Sequence, residues 1–155
     1  MTHSEMSKQE TIGEPGSPLS WPPELPVVQV RVARPTNQLE NVVRFYRDGL
    51  GLPQIASFSG HRGYTGVMLG LPGQAYHLEF TQHEAGGNDD CRAPTRDNLL
   101  VLYMPDAAAV QRLVARLEGL GYPAVPPENP YWADHGATFE DPDGWRVVLM
   151  NAPGL

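Results

Sequence analysis

The residues of this chain whose types and spacing suit chemistry are few, and His77 and Glu79 stand first among them. Across residues 75–82, Tyr76, Leu78 and Phe80 alternate with His77, Glu79 and Thr81. A strand sends residues two apart to one face, so an imidazole and a carboxylate stand side by side. Such a pair can ligate a divalent cation or exchange a proton with a substrate. Arginines offer a second chemistry. Across 27–33, Val28, Val30 and Val32 alternate with Gln29, Arg31 and Ala33; near the C-terminus, Trp145, Val147 and Leu149 alternate with Arg146, Val148 and Met150. The guanidinium fork of Arg31 or Arg146 suits a carboxylate or phosphate.

Asn129-Pro130-Tyr131-Trp132 places two adjacent aromatics in a Pro-bounded loop, which can close over a ligand or plug a small core or a dimer seam. The other histidines carry less: His61 and His83 read as turn or surface residues, and His135, before the penultimate strand, as a capped or solvated imidazole or one that reaches the pocket mouth. Cys91 sits in a polar stretch, 86–96, read as a mobile linker, with nothing near it in sequence to activate a thiol.

Bulk properties narrow the partners. The net charge is −7 and no Lys/Arg cluster is present, which argues against nucleic acid, whose phosphates require concentrated positive charge. No apolar run approaches the roughly 18 residues that span a bilayer, and the polar start MTHSEMSKQE lacks the apolar stretch of a signal peptide. A single cysteine excludes an internal disulfide and fits a reducing cytoplasm. At 155 residues, 41% of them hydrophobic, the chain is the size of one domain with a real core. Residues 1–24, rich in Ser, Glu, Gly and Pro, read as a flexible tail before a single domain at 25–155.

The elements that must position these side chains occur twice. Gly49-Leu50-Gly51-Leu52-Pro53 returns as Gly119-Leu120-Gly121-Tyr122-Pro123, an offset of 70 that also carries Pro35 onto Pro105, Gly66 onto Gly136 and Pro72 onto Pro142. Strands are expected at 27–33 and 99–104. Helices follow, with Leu39, Val42, Val43 and Tyr46 on one apolar face, and Val110, Leu113, Val114 and Leu117 on the other. Asn37 and Asp106 are the expected N-caps, and each Gly-Leu-Gly the stop. Extended segments come next, at 54–57, 63–69 and 75–82, then at 123–125, 135–140 and 145–151. Asp141-Pro142-Asp143-Gly144 is a turn by composition. The expected fold is α+β: two tandem βαβββ modules, about 26–84 and 97–152, joined by a linker at 85–96.

Two stretches carry a family likeness: Leu39-Glu40 through Phe45-Tyr46-Arg47-Asp48-Gly49-Leu50-Gly51-Leu52, and Phe139-Glu140-Asp141-Pro142-Asp143-Gly144-Trp145-Arg146-Val147-Val148-Leu149. With the repeat, they resemble the glyoxalase/bleomycin resistance/extradiol dioxygenase superfamily, the vicinal oxygen chelate proteins, over residues 26–152. The resemblance implies curved mixed sheets around a cavity, with Arg31, Tyr103, Arg146, Val148 and Met150 toward it and Tyr131 and Trp132 in the loop beside it. Metal-dependent members take one ligand from each of four strands. Those positions fall here at Arg31 (or Gln29 in a shifted register), at Glu79 with His77 beside it, at Leu99 or Asn98, and at Val148.

Leucine and valine cannot bind a metal and an arginine would repel one, so the family's shared metal site is expected to be absent, with no cofactor. Three readings of the polar corner stay open: Arg31 pairs with Glu79; Arg31, His77, Glu79 and Arg146 bind an anionic or hydrogen-bonding ligand; or His77, Glu79 and Gln29 hold a divalent metal. The leading expectation is a small-molecule binding protein, a homodimer with pockets at its interface. The alternative is a metal-dependent lyase, isomerase or dioxygenase with His77 and Glu79 as catalytic residues. A third is an interaction module whose pocket is filled.

Overall fold

The computed structural model describes residues 21–71, 75–87 and 89–154. Most of the expected tail and the repeat anchor Pro72 lie outside the described residues.

Each alternation in the sequence becomes a strand with one apolar face. β1 (Val30–Pro35) is one edge strand of a four-stranded sheet that also contains β2 (Gln54–His61), β3 (Tyr64–Gly70) and β4 (Tyr76–His83), in the order β1-β4-β3-β2. β1 runs parallel to β4, and the other pairs are antiparallel. The second sheet holds β5 (Leu99–Tyr103), β6 (Gly136–Glu140) and β7 (Arg146–Met150), in the order β5-β7-β6, with β5 parallel to β7. β5, β7 and β6 take the order of β1, β4 and β3, and β2 has no counterpart strand, so the sequence offset reports a repeated α+β architecture. Neither sheet closes into a barrel.

The second copy is shorter than expected. Residues 123–125 form no strand; Val125 alone makes a bridge, to Thr138. Pro123, Pro126 and Pro127 crowd this segment, and proline has no N–H to give a ladder. β1 also begins three residues later than expected, because its partner strand starts at Tyr76, opposite Val30. Val28 is left 89% exposed rather than joining the apolar face.

The first helix, α1 (Leu39–Val43), widens into a π-helical stretch at Arg44–Gly49, where Leu50 N–H reaches back five residues to the Phe45 carbonyl at 2.9 Å. Its start corrects the expected cap. Asn37 does not cap it; the Asn37 amide donates to the Asp89 carbonyl instead. The orphan N–H of Leu39 is taken by Gln82 Oε1 of β4 at 2.8 Å, and Thr36 Oγ1 accepts from Gln38 N–H. The second helix, α2 (Ala107–Gly119), starts as its sequence indicates, with Asp106 Oδ1 accepting from Ala108 N–H at 2.9 Å. Both helices are followed by the anticipated left-handed glycine, Gly51 at φ 83° and Gly121 at φ 91°.

One core runs through both modules. Leu78, Phe80 and Leu69 of the first sheet meet Val42, Phe45 and Tyr46, and the same cluster includes Leu117 of α2 with Phe139, Val147 and Leu149 of the second sheet. The helix ends are cross-tied: Arg116 Nε donates to the Asp48 carbonyl, and Arg44 donates to the Leu120 carbonyl and to Tyr122 OH. The segment expected to be a mobile linker is also fastened. Ala93 N–H donates to the Asp143 carbonyl, and Trp145 Nε1 to that of Cys91.

The anchors Gly66 and Gly136 share a physical cause. Each lies in an equivalent strand, and each leaves room for something on the sheet face away from the helices. A Cβ at Gly66 would sit 2.4 Å from the Phe58 ring; one at Gly136 would sit 2.3 Å from the Trp132 carbonyl oxygen. With any other residue the Phe58 ring would have to swing aside or the Trp132 backbone to shift.

Candidate functional site

Because Leu78 and Phe80 point into the core, His77 and Glu79 face away from the helices, and Arg31 faces them from β1. Arg31 stands directly opposite His77 in the parallel register. Its Nε donates to His77 Nε2 at 2.8 Å and its Nη1 lies 3.1 Å from Glu79 Oε2. One guanidinium thus engages both residues; the ion pair with Glu79 is the one the pairing reading anticipated, and the hydrogen bond to His77 is not. His77 is 3% exposed, whereas the Arg31 side chain is 48% exposed and that of Glu79 12%.

This geometry settles the imidazole's tautomer. A guanidinium nitrogen only donates, so His77 Nε2 is the acceptor and the ring is neutral with its proton on Nδ1. That Nδ1–H is buried and has no hydrogen-bond partner among the described residues. Gln29, Ile55, Gly70 and His77 line a cavity of about 160 Å³ beside this corner.

The donor set does not fit a divalent metal as it stands. The lone pair of His77 Nε2 and one carboxylate oxygen of Glu79 are already turned to a cation, the guanidinium. Gln29 contributes a third neutral oxygen at most, and the described residues hold no group of three His, Cys, Asp or Glu placed to share an ion.

The second module's counterpart face is built differently. Val148 is fully buried and Met150 is 6% exposed, so neither forms the open cavity wall expected of it. Residues 126–135 cross this face, with a 3₁₀ turn at Pro130–Trp132 that Asn129 caps and whose Trp132 carbonyl rests on Gly136. Tyr131 and Trp132 meet edge to face at 4.9 Å. Tyr103 is half-exposed.

Arg146 does not join Arg31. It is 4% exposed, and its Nε and Nη2 bind Glu140 Oε1 while Nη1 donates to the Pro126 carbonyl, pinning the crossing loop to β7. The larger cavities also lie elsewhere. One of about 430 Å³ is lined by Asn37, Gln38, Gln82 and Glu84; another of about 500 Å³ by Val43, Arg44, Arg47 and Val67. Both flank the first helix.

Composition and spacing did not disclose a second buried polar cluster. Tyr46 OH, fully buried, donates to Asp141 Oδ2 at 2.8 Å, and Asp141 Oδ1 accepts the N–H groups of Asp143 and Trp145. Arg34 reaches Tyr46 OH at 3.4 Å and stacks on Trp145 at 4.2 Å. Burial pushes Asp141 up to about 6 despite these hydrogen bonds. Burial, then the Asp141 charge, holds the Tyr46 hydroxyl well above its ordinary range, so it remains the donor. The two motif stretches that mark the family are thereby bonded to each other across the modules.

Comparison with known proteins agrees with this architecture. Models of the YycE-like N-terminal and C-terminal domains match residues 30–81 and 97–151. YycE of Bacillus subtilis, whose own function is uncharacterised, is 51% identical over 127 residues, 82% of this chain and 90% of that protein. Its crystal structure, provisionally grouped with glyoxalase and fosfomycin resistance proteins, matches with a TM-score of 0.81 at 49% identity, covering 86% of this chain and 96% of that one. Glyoxalase I of Leishmania major matches at 0.58 with 21% identity, over 78% of this chain and 84% of that one. TnmS3, an antibiotic binding protein from Streptomyces sp. CB03234, matches at 0.55 with 25% identity, over 80% and 93%. Among the described residues no helix is long and apolar enough to cross a membrane.

Proposed function

The chain belongs to the YycE-like family, on the glyoxalase/bleomycin resistance fold, and from that premise we propose that it binds a small organic molecule without a divalent metal. The ligand lies on the helix-free face of the first sheet, beside Arg31. The observation that carries this reading is the Arg31 side chain itself, half-exposed yet held by His77 and Glu79. Two of its nitrogens are committed there, and Nη2 takes no partner among the described residues. A guanidinium fixed in this way is a ready donor for a carbonyl, carboxylate or phosphate oxygen. That an antibiotic binding protein shares the fold lends support.

A second copy of the chain completes the cup in this reading. On the helix-free face of the first module the Arg31 side chain is half-exposed, and Tyr103 and Tyr131 of the second are 46% and 48% exposed, aromatics of the kind that interfaces favour.

A thermal-shift screen of small carbonyl, carboxylate and phosphate compounds, with and without chelator, tests the proposal. A stabilising ligand should be indifferent to chelator and lost in Arg31→Ala. Binding that vanishes on metal removal would refute the metal-free reading. Sedimentation equilibrium should find a dimer; a monomer at micromolar protein removes the second copy.

A further inference from the structure

We infer that the cavity between the first helix and β3 binds a free α-amino acid with an apolar side chain, its ammonium group held by Glu40 and its carboxylate by Arg47. This site is separate from the Arg31 corner. Val67, which lines it, pairs with Phe80 of the core in the β3–β4 ladder. Val67 therefore stands on the helix side of the first sheet, behind the face that carries Arg31, His77 and Glu79.

The cavity has the size and the floor for such a ligand. Its volume is about 500 Å³, within the range of small-molecule pockets. Leu39, Val43 and Val67 give it an apolar base. Glu40, Val43, Arg44 and Arg47 recur at intervals of three and four, so one side of the helix forms its wall. The outer side stays open because β2, the edge strand beyond β3, is exposed along nearly its whole length.

The rim carries both signs, and each keeps a group to spare. Glu40 is exposed and takes no partner among the described residues. Arg44, one turn on, does not neutralise it, since both its terminal nitrogens are committed to Leu120 and Tyr122. Arg47 is held from two sides: Nε donates to Asp48 Oδ1 at 3.0 Å and Nη1 to Gln54 Oε1 at 3.1 Å, while Nη2 takes no partner among the described residues. A guanidinium fixed at its other nitrogens loses little freedom on gripping a carboxylate. The mixed rim also selects. A lone anion meets Glu40 and Asp48, and a lone cation meets Arg44 and Arg47, so either is repelled by half of the rim. A zwitterion finds a partner for each charge.

Titration calorimetry with leucine, phenylalanine, glycine, leucine amide and 4-methylpentanoate tests the inference. Leucine or phenylalanine should bind at one site per chain. Leucine amide lacks the carboxylate and 4-methylpentanoate lacks the ammonium, so each should bind roughly tenfold or more weakly than leucine, having lost a charge-assisted hydrogen bond. Glycine should be weaker by about the same factor, because it leaves the apolar floor uncovered. Glu40→Gln, at an exposed and unpaired position, should keep the melting temperature and bring leucine down to the level of 4-methylpentanoate. No binding of either apolar amino acid at millimolar concentration, or equal binding of leucine and its amide, overturns the inference.

Arg31→Ala distinguishes this site from the face proposed above for the small organic ligand. Leucine binding that survives Arg31→Ala and falls in Glu40→Gln supports the inference, whatever the thermal-shift screen finds at Arg31. Leucine binding that is lost in Arg31→Ala and kept in Glu40→Gln overturns it. Val67→Phe, which fills the cavity from its floor, gives an independent check: it should block leucine, and a folded Val67→Phe protein that binds leucine as the wild type does overturns the inference as well.

Discussion

Asp141 shows how one residue can carry a cost that its neighbours only partly offset. It is 5% exposed and receives three hydrogen bonds, from Tyr46 OH and two backbone N–H groups. Burial nonetheless outweighs them, and the carboxyl sits at about 6 against an ordinary 3.8. Between those values the native state holds more protons than the unfolded chain. Its stabilising contribution is therefore full below pH 4 and lost as pH rises through 6, a change of roughly 3 kcal/mol. Asp141→Asn keeps the shape and removes the titration. Its stability relative to the wild type should thus improve by about that amount between pH 4 and pH 7 in urea denaturation, and a constant difference would disprove the assignment. Arg62 is a second residue-scale case. With φ at 51°, it occupies the left-handed region in the tight turn between β2 and β3, beside Gly63 at 84°. A turn with both central residues at positive φ prefers Asn-Gly. Arg62→Asn should therefore raise stability by about 0.5–1 kcal/mol, measurable as a shift in the denaturation midpoint without a change in slope.

The paired glycines give the clearest test among the elements. Gly66 and Gly136 hold equivalent places in β3 and β6, but what approaches them differs. Phe58 is a side chain with a χ1 torsion to spend, whereas the Trp132 carbonyl belongs to a backbone turn that Asn129 caps. Gly136→Ala should then cost about 2–3 kcal/mol and Gly66→Ala nearer 1 kcal/mol. Equal costs would mean that the 3₁₀ turn moves as freely as a ring. The helix starts also differ. Asp106 caps α2 alone, so Asp106→Ala should cost about 1 kcal/mol. The corresponding change at Asn37 should remove only an exposed contact to Asp89. Sequence spacing placed both helices and their glycine stops, because periodicity and positive φ are local. It misassigned the first cap because Gln82, which satisfies Leu39 N–H, comes from a strand more than 40 residues away.

Across the whole molecule, the modules share one core and are tied to each other at several points. The core cluster contains residues from both sheets and both helices, Arg44 and Arg116 cross-tie the helix ends, and Tyr46 bonds Asp141. Leu117, fully buried in α2, touches this shared core. Leu117→Ala should cost about 2–5 kcal/mol. Unfolding should remain a single transition, coincident by far-UV circular dichroism and by tryptophan fluorescence. Two separated transitions would show that the modules are only adjacent.

The doubled architecture, its main turns and the parity of Arg31, His77 and Glu79 could be determined from the sequence alone, whereas the missing strand at 123–125 and the late start of β1 could not. Alternation with period two, helical spacing and the Asp-Pro-Asp-Gly turn are all short-range signals, and one offset repeats them. The polar corner was legible to the same extent: Arg31, His77 and Glu79 share a face because of their strand parity. Three things were settled only by tertiary structure. The parallel register put Arg31 opposite His77 and so chose the imidazole's tautomer. The proline-rich crossing loop covered Val148 and engaged Arg146, closing a wall that alternation alone would leave open. Docking of the two modules brought Tyr46 onto Asp141 and made a buried acid of a turn residue. Each depends on which distant backbone lies within about 3 Å, and no local pattern encodes that distance.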